Sequence, residues 1–313
     1  MRKVLALVLL SLLSIPAVHG VWEPAVDGGI KGTAYAALYN INMYKTTGSV
    51  VHREAARSRV ALLLAHQERS GGWRALPGEP SSTYSLLESA MGTWALSEAY
   101  LAGVIEGPEA EVAILRAGDK MLKEASIITA AGYRVGLKPN ALGYATVALV
   151  EAHRAAGKMD GRDTALKARR YRLKALEMAD GLLDMQNPDG SWYDGPYHSP
   201  FHGWRTVSAW YQSMAWSGLA YASLIAGEKK EGYLEGVEKG VNWTARLRGD
   251  GGYHGVYYQN GTVSGDLLGG PMALQGVAIA KSAGANVEVP PIPEDQDLHL
   301  GLARSFLDVR VLE

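Results

Sequence analysis

Gln67-Glu68-Arg69-Ser70-Gly71-Gly72-Trp73 returns, with both ends unchanged, as Gln186-Asn187-Pro188-Asp189-Gly190-Ser191-Trp192. The closing step of this stretch, a glycine or serine followed by an aromatic residue, occurs four times: Gly72-Trp73, Gly132-Tyr133, Ser191-Trp192 and Gly252-Tyr253. The intervals from 73 to 133, from 133 to 192 and from 192 to 253 are almost equal. A period this long and this regular marks stacked supersecondary units.

A second marker interleaves with the first. Gly48, Gly103, Gly157, Gly227 and Gly284 each close an Ala- and Leu-rich stretch, the position where a left-handed glycine stops a helix at little cost. Five stops define five helical hairpins. The first helix of each is expected over about 28 to 47, 83 to 102, 139 to 156, 205 to 226 and 264 to 283. These stretches are nearly apolar all round, as a helix buried on every side reads. The second helices, over 51 to 68, 109 to 126, 162 to 186, 230 to 247 and 295 to 312, carry charge on one face. Lys167, Arg169, Arg170, Arg172, Lys174 and Glu177, for example, oppose Leu166, Leu173, Leu182 and Leu183. Apolar inner helices favour closure over an open solenoid, so the predicted fold is all-α, an α/α toroid of about five hairpins with amphipathic helices outside. No stretch shows the alternation of a strand, although residues 253 to 259 suit a short hairpin arm.

The chain has 313 residues, 47% of them hydrophobic and 20% charged, with 31 basic against 32 acidic side chains. No basic stripe supports nucleic-acid binding. Cysteine is absent, which excludes disulfides, a thiolate nucleophile, iron-sulfur clusters and thiolate-bound zinc. Residues 1 to 20 combine Met1-Arg2-Lys3, an apolar run from Val4 to Leu13 and small residues before Gly20. That is the pattern of a signal peptide, and the run is short for a membrane span. The expectation is a secreted or extracytoplasmic protein without a permanent membrane anchor, with residues 21 to 313 forming one toroid domain.

The two quoted heptapeptides resemble the Gln-to-Trp repeats of squalene-cyclase-like and prenyltransferase-like toroids, which implies the fold rather than a chemistry. A more local likeness joins Trp192 to the run Trp210-Tyr211-Gln212-Ser213-Met214-Ala215 that follows it. This resembles the C-terminal domain of D-glucuronyl C5-epimerases, where a Gln-x-x-Gly-Gly-Trp step precedes Trp-Tyr-Ser-Ala-Met-Ala at nearly the same spacing. The resemblance implies a uronate C5-epimerase acting on a glucuronate-containing polysaccharide. The N-terminal β-rich region of those enzymes and their C-terminal His- and Tyr-containing segment have no counterpart here.

The residues themselves point to a sugar as well. The chain holds 8 Trp and 16 Tyr but 2 Phe, and residues 192 to 258 contain 5 of the Trp, 8 of the Tyr and 3 of the 8 His. Flat Trp and Tyr faces stack on sugar rings, while His, Arg and Tyr bind hydroxyls and carboxylates. In a closed toroid the connections from each outer helix to the next inner helix gather at one end of the ring. Two of them, 192 to 205 and 253 to 264, carry this polar aromatic set.

Removal of a proton beside a carboxylate requires acid/base groups flanking the ring and a partner for the developing charge. Tyr193, His198, Tyr211 and Tyr258 are the acid/base candidates. Tyr197, His202, Trp204, Arg205, His254 and Tyr257 are candidate substrate ligands, with Arg205 suited to a carboxylate. Trp73 and Trp192 read as packing residues, as do Trp210, Trp216 and Tyr221. The same groups suit a polysaccharide lyase, which shares the proton-abstraction step. A glycosidase would use two carboxylates, from Asp194, Asp266 and Glu88. A toroid that binds a glycan or a protein without turnover and a terpenoid-cyclase-like toroid are the remaining alternatives, the last lacking an Asp-x-Asp-Asp motif. No cofactor is implied. His198 and His202 have helical metal-ligand spacing, but Pro200 between them opposes the helix that would align them.

Overall fold

The computed structural model describes residues 29–74, 86–130, 139–192, 206–207, 209–245, 248–249, 252–257, 263–265 and 270–287. Nine α-helices occur among them: α1 Gly29–Thr47, α2 Val50–His66, α3 Leu86–Leu101, α4 Pro108–Ala130, α5 Pro139–Ala156, α6 Arg162–Asp184, α7 Ala209–Ser223, α8 Lys230–Ala245 and α9 Gly270–Ser282. The odd-numbered helices form an inner ring in the order α1-α3-α5-α7-α9, and α9 touches α1 to close it. The even-numbered helices pack outside, each against the inner helix of its own hairpin. The α/α toroid read from the repeat is therefore the observed fold. The expected signal segment 1 to 20 and the expected fifth outer helix, 295 to 312, lie outside the described residues.

Burial explains the division of labour. In α3, every residue from Ser89 to Ala99 is buried, and in α5 every residue from Leu142 to Ala152 is. In α6, only Ala168, Tyr171, Ala175, Met178, Ala179, Gly181 and Leu182 are, a single stripe. Small residues recur in the inner helices because five of them must approach closely. Gly143 of α5 lies so near α7 that a Cβ there would overlap the Met214 carbonyl, and Gly218 of α7 faces Gly143 in return.

Gly48, Gly103 and Gly284 have φ of 67°, 66° and 102°, the left-handed stops that their positions predict. Gly227 also has a positive φ, 60°, but it is not a stop: α7 ends at Ser223, and Gly227 opens a short 3-10 helix, Gly227–Lys229, ahead of α8. Gly157 is a correction, because it is not among the positive-φ glycines. There the chain tightens through short bonds from Lys158 N–H to Ala155 O (3.0 Å) and from Met159 N–H to Ala156 O (3.2 Å). The positive φ comes instead at Gly161, 116°, just before α6.

The two heptapeptides adopt one geometry. Trp73 donates its indole N–H to Leu63 O at 2.8 Å, and Trp192 to Leu182 O at 2.7 Å. Gln67 donates to Gly71 O and Ala113 O; Gln186 donates to Gly190 O and Gly236 O. Gly71 and Gly190 have φ of 91° and 93°, and a Cβ on either would overlap a backbone carbonyl, of Arg116 and of Lys239 respectively. Both tryptophans are buried, so they are packing residues as their sequence context indicates.

A further repeated contact joins successive outer helices. The Tyr171 hydroxyl reaches Asp119 Oδ1 and Leu115 O, both at 2.9 Å, and Lys167 pairs with the same carboxylate. The counterpart is Tyr233 to Asp180 Oδ1 at 2.8 Å with Lys229 to Asp180 Oδ2 at 2.6 Å. Burial, and then the neighbouring aspartate, hold both tyrosine hydroxyls firmly protonated. From Asp119 to Asp180 and from Tyr171 to Tyr233 the chain advances by about one period of the glycine/serine-aromatic step.

Four short strands complete the described chain: β1 Thr206–Val207, β2 Arg248–Gly249, β3 Gly252–Tyr257 and β4 Val263–Gly265. β3 pairs antiparallel with each of the other three. The expected hairpin arm is present as β3 and β4. The inner helices expected to begin near 205 and 264 instead begin at 209 and 270, because residues 206–207 and 263–265 are taken up by the sheet. Strands this short leave no alternation to read in sequence.

Candidate functional site

The connections from inner to outer helices are short: 48–49, 102–107, 157–161 and 224–229. Those from outer to inner helices are long: 67–85, 131–138, 185–208 and 246–269. Because the helices alternate in direction along the chain, all long connections leave the ring at the end where the inner helices begin. That end is the mouth, and loops set on a rigid scaffold are where binding residues concentrate.

The sheet stands at this end and ties two of the long connections together. Thr206 is opposite Tyr257 and Val207 opposite Val256. On the other side of β3, His254 is opposite Gly265, Gly255 opposite Ser264 and Val256 opposite Val263. Thr206–Val207 and the strand containing His254 and Tyr257 are thus adjacent in space through their backbones.

Of the candidate residues, Tyr211 lies in the first turn of α7, and His254 and Tyr257 lie on β3. Tyr193, Tyr197, His198, His202, Trp204, Arg205 and Tyr258 lie outside the described residues, as do Asp194 and Asp266.

At the same end, the first two turns of the inner helices supply side chains that no sequence motif marks. The hydroxyls of Tyr35 on α1 and Tyr144 on α5 meet at 3.3 Å. Helices α1 and α5 are not neighbours in the ring, since α3 stands between them, so this buried pair bridges the inside of the ring. Burial pushes Tyr35 up to about 12, against the lowering effect of its bond to Tyr144. Tyr35 is therefore a proton donor at neutral pH rather than a base.

Lys31, one turn above Tyr35, places its Nζ 5.9 Å from the Tyr35 ring centroid. Burial lowers its pKa, and the charge of Glu88 on α3 works the other way. Glu88 has one carboxylate oxygen that is buried and has no hydrogen-bond partner among the described residues. A buried acceptor without a donor is costly unless a ligand or solvent supplies one. The mouth thus combines a cation, a carboxylate with an unmatched acceptor and two phenols, from three consecutive inner helices. Glu88 is visible in the sequence as a carboxylate on an inner helix. Lys31, Tyr35 and Tyr144 are not, because a lone polar residue in an apolar helix carries no motif.

Gln212 on α7 holds the backbone of Trp192 at the same end of the ring. Its amide accepts the Trp192 N–H at 2.8 Å and donates to Trp192 O at 2.7 Å. A depression of about 620 Å³ lined by Asp119, Leu122, Lys123, Ser126, Ile127, Lys167 and Arg170 lies between the outer helices α4 and α6 and has no part in the mouth.

No family model and no curated protein matches the chain. Solved structures do. A D-mannose isomerase aligns with a TM-score of 0.59 at 16% identity, over 82% of this chain and 70% of the other. A glycosyl hydrolase of family 88 from Bacteroides vulgatus aligns with a TM-score of 0.56 at 15% identity, over 89% and 77%. The cellobiose 2-epimerase from Spirochaeta thermophila DSM 6192 aligns with a TM-score of 0.52 at 16% identity, over 82% and 71%. At such identities the likeness is one of fold, and the fold these sugar-directed enzymes share with the chain is the α/α toroid.

Proposed function

We propose that the protein is a carbohydrate-active enzyme that works at the toroid mouth, and that it moves a proton on a sugar carbon beside a carboxylate, as a uronate C5-epimerase does. The observation that carries this reading is the convergence of Lys31, Tyr35, Glu88 and Tyr144 at the end of the ring where β1 pairs with β3. Similar toroids bear the names of an isomerase, an epimerase, a lyase and glycosyl hydrolases, so sugar chemistry suits the fold. The polar mouth favours a sugar over an apolar terpenoid.

In this reading the substrate carboxylate is held by Lys31 and Arg205. A base removes the C5 proton on one face, and a phenol returns a proton on the other. Tyr35 suits the donor's task because it is protonated at neutral pH, with the Tyr144 hydroxyl beside it. Glu88, or a base among Tyr193, His198, Tyr211 and Tyr258, suits the acceptor's. Delivery of the proton to C5 gives an epimer, whereas loss of the C4 substituent gives an unsaturated lyase product from the same carbanion.

The test is incubation with a glucuronate polymer in heavy water. Deuterium at C5 without chain cleavage identifies the epimerase, and an unsaturated product identifies the lyase. Neither signal from folded protein, across a panel of uronate polymers, overturns the proposal. Binding without turnover would mark a glycan-binding toroid.

A further inference from the structure

At the other end of the ring, four inner helices bring charged and phenolic groups into the core. Glu98 of α3 is 2% exposed and Glu151 of α5 is fully buried. Lys45 of α1 reaches Glu98 Oε2 at 3.2 Å. Arg154 reaches Glu151 Oε1 at 2.6 Å and Glu98 Oε1 at 3.7 Å. Tyr221 of α7, fully buried, packs edge-on against Trp94 with ring centroids 6.0 Å apart.

The two cations do not neutralise the two carboxylates on equal terms. Lys45 and Arg154 are 33% and 41% exposed, so their charge is shared with solvent, while both carboxyls are dry. Glu151 Oε2 is buried and has no donor among the described residues. As the O–H of a carboxylic acid, that oxygen becomes a donor and Glu98 its acceptor, which removes both the unpaired acceptor and one buried charge.

We propose that the short-loop end of the ring is a proton-binding site, in which Glu98 and Glu151 hold one hydrogen between them and its release weakens the packing of the inner helices. The electrostatics agree in direction. Burial, then the charge of Glu98, pushes Glu151 up to about 7 against Arg154 and Lys45. Burial alone would raise Glu98 too, but Lys45 and Arg154, with hydrogen bonds from Lys45 and Glu151, outweigh it and hold Glu98 below the ordinary carboxylate range. Burial and the two carboxylates keep Tyr221 protonated.

On the far side of α5, His153 bonds Ala168 O at 3.0 Å and feels Arg172 of α6. The acidic and basic groups of α4 are engaged outward, Asp119 with Lys167 and Lys120 with Glu124. The proton released goes to solvent past Lys45 and Arg154.

The sign of the linkage follows from the raised group. The stability that protonated Glu151 contributes is complete below the unfolded carboxyl value, about 4.3, and is lost as pH rises through about 7. Glu98 acts oppositely, losing its contribution only as pH falls through its depressed value.

Infrared spectroscopy of the full chain between pH 5 and 9 tests the site. A carboxylic-acid C=O band present at pH 6 is expected to vanish near neutrality, with melting temperature falling by several degrees over the same range. Glu151→Gln, which keeps a hydrogen-bond donor without a titrating proton, is expected to lack the band and to flatten the fall. A fully ionised ion-pair cluster gives no such band and a flat melting profile in the wild-type chain, which overturns the proposal. The wild-type titration alone decides if Glu151→Gln does not fold.

Discussion

The Gln212 side chain grips the backbone of Trp192 from both directions, accepting its N–H at 2.8 Å and donating to its carbonyl at 2.7 Å. Trp192 closes the second heptapeptide, so this grip fixes the end of that turn against α7. Gln212→Ala strands a buried donor and a buried acceptor and is expected to cost about 1–3 kcal/mol in urea unfolding. Gln212→Glu places a buried carboxylate against the Trp192 carbonyl, so its loss at neutral pH should be the larger of the two and should shrink as the acid is protonated.

Gly143→Ala is expected to be among the most damaging single substitutions in the protein. The added methyl meets backbone of α7 rather than a movable side chain, so two inner helices must separate. A loss above about 4 kcal/mol, or failure to accumulate as folded protein, is the predicted result. Gly232→Ala in α8 is the control: nothing lies within 4 Å of its added Cβ, and a gain of about 0.5–1 kcal/mol is expected from helix propensity. Thermal melts of the two variants should move in opposite directions.

The two outer-ring locks predict matched energetics at equivalent sites one repeat apart. A double-mutant cycle between Asp119→Asn and Tyr171→Phe, and the equivalent cycle between Asp180→Asn and Tyr233→Phe, should return couplings of similar size, on the order of 1 kcal/mol. Both aspartate side chains are 41% exposed, so added salt should shrink the Lys167 and Lys229 contributions while leaving the tyrosine bonds.

Tyr35→Phe and Tyr144→Phe each remove one hydroxyl from the pair inside the ring of helices while keeping the aromatic side chain. Turnover of a uronate substrate should fall about 10²-fold or more in at least one of them, with melting temperature nearly unchanged. A loss in binding with unaltered turnover number would assign the pair to substrate holding instead.

The architecture is readable from sequence because it is periodic. A glycine stop and an aromatic step in each repeat define the hairpins without reference to any long-range contact, and apolar against one-sided charge patterns separate inner from outer helices. Gly157 escapes this logic because the chain can leave a helix through a tight turn as well as through a left-handed residue, and residue type alone does not choose. The Tyr35–Tyr144 pair escapes it for another reason. The two are 109 residues apart, and a contact across the inside of a closed ring depends on which helices face each other, information that no local pattern holds. The same is true of Glu98 and Glu151, which read in sequence as isolated acids. The pairing of β1 with β3 belongs with these, since two- and six-residue strands about fifty residues apart carry no local sign that they meet.

The outer locks also set an order of assembly. Asp119 is fastened by side chains that arrive 48 and 52 residues later, and Asp180 by side chains 49 and 53 residues later. While the chain is being synthesised, α4 and α6 therefore wait unlatched until the following hairpin has emerged, and are then fixed from the C-terminal side. The contact of α9 with α1 comes last. A nascent chain halted after α6 would have α4 fastened and α6 loose, so growth proceeds as overlapping tiles laid in one direction, with closure of the circle as the terminal event.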